Sequence, residues 1–171
     1  REKLIAVSAD DAVFEEKLRG PVYKENTGAT RFILCIIAKQ SMPAESQKNL
    51  WEKNGSNQYI WTIEHIFPEG KNIPDAWVDM IASGDRDKAN EYLEEYAHTF
   101  GNLTITGYNS SLGNKSFKEK KERKDSNGNP IGYLNGLNLN ADLVNTDNWT
   151  VDQIKVRTNK LVSEILALFT L

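Results

Sequence analysis

Two short β-branched and aromatic stretches constrain this chain most. Residues 58–63, Gln-Tyr-Ile-Trp-Thr-Ile, and residues 102–106, Asn-Leu-Thr-Ile-Thr, have the composition of strands. The first runs into Glu64, His65, Ile66, Phe67 and Pro68, and the second into Gly107, a turn signal. Much of the rest carries helical spacing or turn residues. The mixture predicts an α+β class, mostly helical around a small two-strand unit.

Ser8, Ala9, Asp10 and Asp11 resemble a capping box with Asp in place of Glu, ahead of Val13, Phe14 and Leu18. They predict a helix that stops at Gly20-Pro21. Residues 29–39 read as a second, mostly buried helix, although the Ile-rich run is also compatible with a strand. Residues 40–56 read as a loop holding a short helix. Pro74 marks the start of another helix. Ala89, Tyr92, Leu93 and Tyr96 follow the spacing of an amphipathic one. Residues 110–123 read as a polar helix, 127–130 as a turn and 135–148 as irregular. Thr150 and Gln153 form a capping box for a last helix with the apolar stripe Ile154, Leu161, Ile165 and Phe169. The expected organisation is one domain over 1–171. It comprises a helical part (1–56), a strand–strand–helix core (58–123), and a loop with a C-terminal helix (124–171).

The longest apolar run, residues 32–38, is far below the roughly 20 residues that span a bilayer, so no membrane partner is expected. It contains the single cysteine, Cys35. One thiol makes no internal disulfide and no cysteine zinc site, and a buried free thiol suits a cytoplasmic location. The chain opens on Arg1 rather than Met, which suggests a piece of a longer protein. Its net charge of −3 excludes a polycation, so contact with nucleic acid must come from a local patch. Residues 115–124 are the candidate, with Lys115, Lys118, Lys120, Lys121, Arg123 and Lys124 against Glu119 and Glu122. The same run also reads as a solvated helix face, its glutamates pairing with lysines one turn away.

Three pieces carry possible chemistry: Glu64-His65 with Pro68, Gly101-Asn102, and the stretch from Asn109 to Asn114. Phosphodiester hydrolysis needs a base for the attacking water, and a neutral imidazole titrates in the right range. It also needs a hard cation against the departing oxygen. Mg²⁺ is content with one carboxylate, an amide oxygen and several waters. Glu64 and His65 are neighbours on a strand end and so point to opposite faces, one for metal and one for water. His98 ends the helix before the second strand, where it reads mainly as a C-terminal cap. The four tryptophans read as core.

Glu64-His-Ile-Phe-Pro68 resembles the signature that opens HNH nuclease motifs. The run from His98 to Thr106, followed by Asn109 to Lys121, is similar to the C-terminal HNH domain of GmrSD-type, modification-dependent (type IV) restriction enzymes. Trp149, Ile154, Arg157 and Leu161 resemble its closing segment. The resemblance implies a ββα-metal fold and a Mg²⁺- or Mn²⁺-dependent DNA endonuclease of prokaryotic defence. It makes His65 the general base, Glu64 a metal ligand and Asn102 the asparagine that orients the base and its loop. Asn109 and Asn114 compete for the third position. It also implies a parent protein with an N-terminal nucleotide-hydrolysing domain, and this chain has no Walker-type loop of its own. Structural zinc, held by paired cysteines in many HNH domains, is not expected here. The alternatives are a non-catalytic nucleic-acid-binding module with the same fold, and a helical interaction domain.

Overall fold

A computed structural model describes residues 11–40, 42 and 48–169. The Ser8–Asp11 capping box falls outside or at the edge of these, and so do residues 41 and 43–47 of the 40–56 segment. The described elements are α1 (Asp11–Arg19), α2 (Val22–Glu25), α3 (Thr27–Gln40), β1 (Thr62–His65), α4 (Asp75–Ala82), α5 (Arg86–Tyr96), β2 (Leu103–Thr106), α6 (Asn109–Leu112), α7 (Phe117–Glu122), α8 (Ala141–Val144) and α9 (Val151–Phe169). Short 3₁₀ turns at Phe100–Asn102 and Asn138–Asn140 precede β2 and α8. The α+β, mostly helical class holds. The Ile-rich run is helical, as part of α3. None of the described helices is long and apolar enough to cross a membrane.

β1 and β2 pair antiparallel, with Glu64 opposite Thr104 and His65 opposite Leu103. β1 begins later than its composition suggests. Asn54 and Asn57 form a local turn, Asn57 with φ of 61°, and Tyr59 bridges back to Lys53. Residues 58–60 therefore spend their backbone groups locally rather than on β2.

The polar helix expected over 110–123 is two helices. Gly113, at φ of 44°, stops α6. Ser116 restarts the chain as α7 with a capping box: its side chain accepts from the Glu119 amide, and Glu119 Oε2 accepts from the Ser116 amide at 3.0 Å. Glu119 thus caps its helix instead of pairing with lysines. Asp85 likewise caps α5, accepting from the Lys88 amide at 3.0 Å.

Two apolar clusters flank the strand pair. Phe67, Trp77, Val78, Leu93, Phe117 and Trp149 belong to one, and Leu34, Cys35, Phe100, Leu103, Ile105 and Val162 to the other. α9 serves both, through Ile154 in the first and Leu161 and Ile165 in the second. It approaches the 3₁₀ turn before β2 so closely that a Cβ on Gly101 would overlap the Ile154 carbonyl and Thr158 Oγ1. The buried Arg157 guanidinium completes the junction, donating to the carbonyls of Gly101 (2.8 Å), Leu103 (2.7 Å) and Leu139 (2.9 Å). The strand that faces Glu64 and His65 is therefore anchored from the C-terminal helix.

Candidate active site

β1 ends on Glu64 and His65, and both border a cavity of about 140 Å³ that Tyr23, Pro68, Glu69, Asn109, Gly113 and Asn114 help to line. That is room for several waters. The strand end, the loop after it and the α6 segment thus converge, and Glu64, His65, Asn109 and Asn114 border the same cavity.

Glu64 is only 3% exposed, and Lys120 explains how its charge is tolerated. Lys120 Nζ donates to Glu64 Oε1 at 2.6 Å, to the His65 carbonyl at 2.7 Å and to the Ile66 carbonyl at 3.1 Å. Three acceptors for three N–H groups is the arrangement of an ammonium, so the pair is ionic. Burial pushes the Glu64 carboxyl up to about 6, and Lys120 opposes the rise. At neutral pH Glu64 remains a carboxylate with one oxygen engaged.

His65 is nearly buried. Its Nε2 lies 3.2 Å from His98 Nδ1, and Tyr23 packs edge-on with ring centroids 4.6 Å apart. Burial, then His98 and Lys120, lowers its pKa to about 3, so the ring is neutral at physiological pH. Burial and Lys24 lower His98 as well. The capping role expected for His98 is not what its side chain does. Ala97 is the C-cap of α5, and the His98 ring turns to His65.

Asn102 does not border the cavity. It is fully buried, and its amide closes the loop behind His65: the Phe67 amide donates to Oδ1 at 2.8 Å, and Nδ2 donates to the carbonyls of Phe67 (2.9 Å) and Ala97 (3.0 Å). Asn109 Nδ2 donates to the Ile63 carbonyl at 2.8 Å, which ties α6 to β1. Asn114 is exposed at the cavity edge.

The basic run does not form one face. Lys120 is fully buried against Glu64, and Lys121 is held by the Thr146 carbonyl (2.7 Å) and Asp147 (2.9 Å). The expectation that these two meet nucleic acid is corrected: β1 and the loop around Asp147 take their charges. Lys118 and Lys124 are exposed, and Lys115 partly so.

A family model for GmrSD restriction endonucleases, C-terminal domain, matches residues 8–164. The chain belongs to that family. Comparison with curated proteins and with solved structures finds no match. As a GmrSD C-terminal domain it is a module of a restriction endonuclease, a nuclease whose substrate is DNA.

The donors of this GmrSD domain fit a hard divalent ion. Glu64 supplies a carboxylate, and Asn109 and Asn114 supply amide oxygens at the same cavity. Sequence reasoning missed Glu69 and Tyr23 at the site, and gave Lys120 a different role. Glu69 follows His65 by one helical turn's worth of residues yet sits in a loop, with Oε2 3.6 Å from His65 Nε2. Its signal was faint, a carboxylate just past the His-Ile-Phe-Pro motif. Tyr23 and Lys120 reach the site only through tertiary packing, and no local pattern announced them.

Proposed function

We propose that this domain is an HNH-type, metal-dependent DNA endonuclease in which His65 is the general base. The observation that carries this reading is the shared cavity of Glu64, His65, Asn109 and Asn114 at the end of a β–β–α unit. Glu64 and Asn109, with Asn114 as a further donor, would hold Mg²⁺ or Mn²⁺, which would supply charge stabilisation for the departing oxygen.

The neutral imidazole of His65 takes the proton from the attacking water. The DNA phosphate brings negative charge to a ring whose protonation burial and Lys120 otherwise oppose, so proton uptake is favoured when substrate is in place. Glu69 lies on the same side and stabilises the imidazolium that forms. Asn102 holds the loop that carries the base, and Asn109 fixes the helix segment against β1. Lys115, Lys118 and Lys124 supply phosphate contacts outside the cavity. A wider groove of about 570 Å³ shares Tyr23, Ile63 and Asn109 with the cavity and gives the strand a path past it. The reading takes 1–171 as one nuclease domain of a type IV enzyme, its nucleotide-hydrolysing partner domain supplied by the parent protein.

The test is cleavage of plasmid DNA by the full-length protein with Mg²⁺ or Mn²⁺. His65→Ala lowers the rate by about 10²–10⁴-fold, the range typical of a general base. Undiminished cleavage by a correctly folded His65→Ala protein refutes the assignment. DNA binding with no metal-dependent cleavage by the wild type favours the non-catalytic module instead.

A further inference from the structure

The metal reading above uses oxygen donors. A second donor set meets at the ring of His65 itself. His65 Nε2 lies 3.2 Å from His98 Nδ1 and 3.6 Å from Glu69 Oε2, and His98 Nδ1 lies 3.9 Å from that same oxygen. The three residues come from the end of β1, the following loop and the turn after α5.

Hydrogen bonding alone accounts poorly for this triangle. The two ring nitrogens share at most one proton, and both carboxylate distances exceed a hydrogen bond. A shared ion accounts for two edges as they stand and for the third after a small movement of Glu69. Ligands held tetrahedrally at about 2.0–2.1 Å from zinc stand about 3.3 Å from one another. The His–His edge and the His65–Glu69 edge are close to that value. The third closes by a small rotation of the Glu69 side chain, which is 48% exposed.

The site is also built in advance. Tyr23 packs edge-on against His65 and stacks on His98 with centroids 5.5 Å apart, and its amide donates to the His98 carbonyl at 3.2 Å. Two imidazoles and a carboxylate suit Zn²⁺ and its neighbours rather than Mg²⁺. Three protein ligands leave a fourth position open.

We propose that His65, Glu69 and His98 form a transition-metal site for Zn²⁺, and that filling it occupies the ring nitrogen of His65 and blocks DNA cleavage. The blocking half rests on His65 being the general base. The binding half stands without it.

Co²⁺ is the spectroscopic probe. Full-length protein titrated with Co²⁺ develops the visible absorption of a four-coordinate ion, which Zn²⁺ discharges and Mg²⁺ does not. Glu69→Ala and His98→Ala each weaken binding by at least the roughly 10–100-fold seen when only an outer partner of a metal ligand is lost. Glu69 is half exposed, so its variant remains informative if His98→Ala does not fold. Absence of the band, or wild-type affinity in Glu69→Ala, overturns the site. In the second arm Zn²⁺ is added to Mg²⁺-supported cleavage. Wild type is inhibited, and the cleavage retained by Glu69→Ala needs at least tenfold more Zn²⁺. Cleavage indifferent to Zn²⁺ despite an intact Co²⁺ band overturns the blocking half. A band without any cleavage counts against the nuclease assignment and supports the metal site.

Discussion

Asn102 pairs with both backbone groups of Phe67, accepting from its amide at 2.8 Å and donating to its carbonyl at 2.9 Å. One side chain thereby replaces a strand partner for the loop behind His65. Asn102→Ala leaves those groups buried and unpaired, at about 1–3 kcal/mol for each. Asn102→Asp keeps the size but loses both donated bonds and sets a carboxylate against two carbonyls, so it is the more damaging change. Thermal melts should rank wild type above Ala above Asp, and cleavage rates should follow that order. A melt for Asp equal to wild type contradicts the pairing.

The Glu64–Lys120 contact predicts an asymmetric pair of variants. Lys120→Met strands a buried carboxylate and costs about 3–5 kcal/mol. Lys120→Met with Glu64→Gln removes both charges and recovers part of that loss. Lys118→Glu, on the same helix but exposed, leaves stability within about 0.5 kcal/mol. Urea denaturation of the three proteins measures the differences.

Stability of the metal-free protein, held in chelator, should fall on acidification. His65 has a folded pKa of about 3 against an ordinary value of 6.5, and His98 is depressed too. Between those values the unfolded chain binds the proton and the folded one does not, so stability rises with pH there. It is fully present above the unfolded pKa and is lost as pH drops from about 6.5 toward 3. Glu64, raised to about 6, opposes this trend between its ordinary 4.5 and 6. Denaturation midpoints taken across that range in His98→Ala should show a shallower slope than wild type. An equal slope removes His98 from the account.

Two glycines should respond in opposite directions. Gly101→Ala drives a methyl into the backbone of α9 and costs at least the roughly 1–3 kcal/mol of overpacking. Gly28→Ala, in the first turn of α3, meets nothing nearer than Asn26 Oδ1 at 3.5 Å and gains about 0.4–1 kcal/mol. Chemical denaturation decides both.

Local pattern was enough to place α5 and α9, because each advertises one buried face and one cap, and β2, whose β-branched run is buried on both faces. The Asn102 turn and the Glu64–His65 strand end were legible as a motif. What was not legible came from distance. Lys120 reads as one more cation in a basic run, and only the fold of α7 against β1 shows it to be the partner of Glu64. His98 reads as a helix cap because its true neighbour lies 33 positions away. The shortened β1 and the split of the polar helix trace to Asn57 and Gly113, single backbone conformations that composition does not weigh.

The buried ammonium of Lys120 divides the domain's electrostatics in two. Ions of the medium screen exposed charges strongly and enclosed ones weakly. Raising ionic strength therefore loosens the grip of Lys118 and Lys124 on a polyanion while the charge balance at Glu64 stays as it was. KM for DNA should climb steeply with added KCl, and turnover at saturating substrate should barely change.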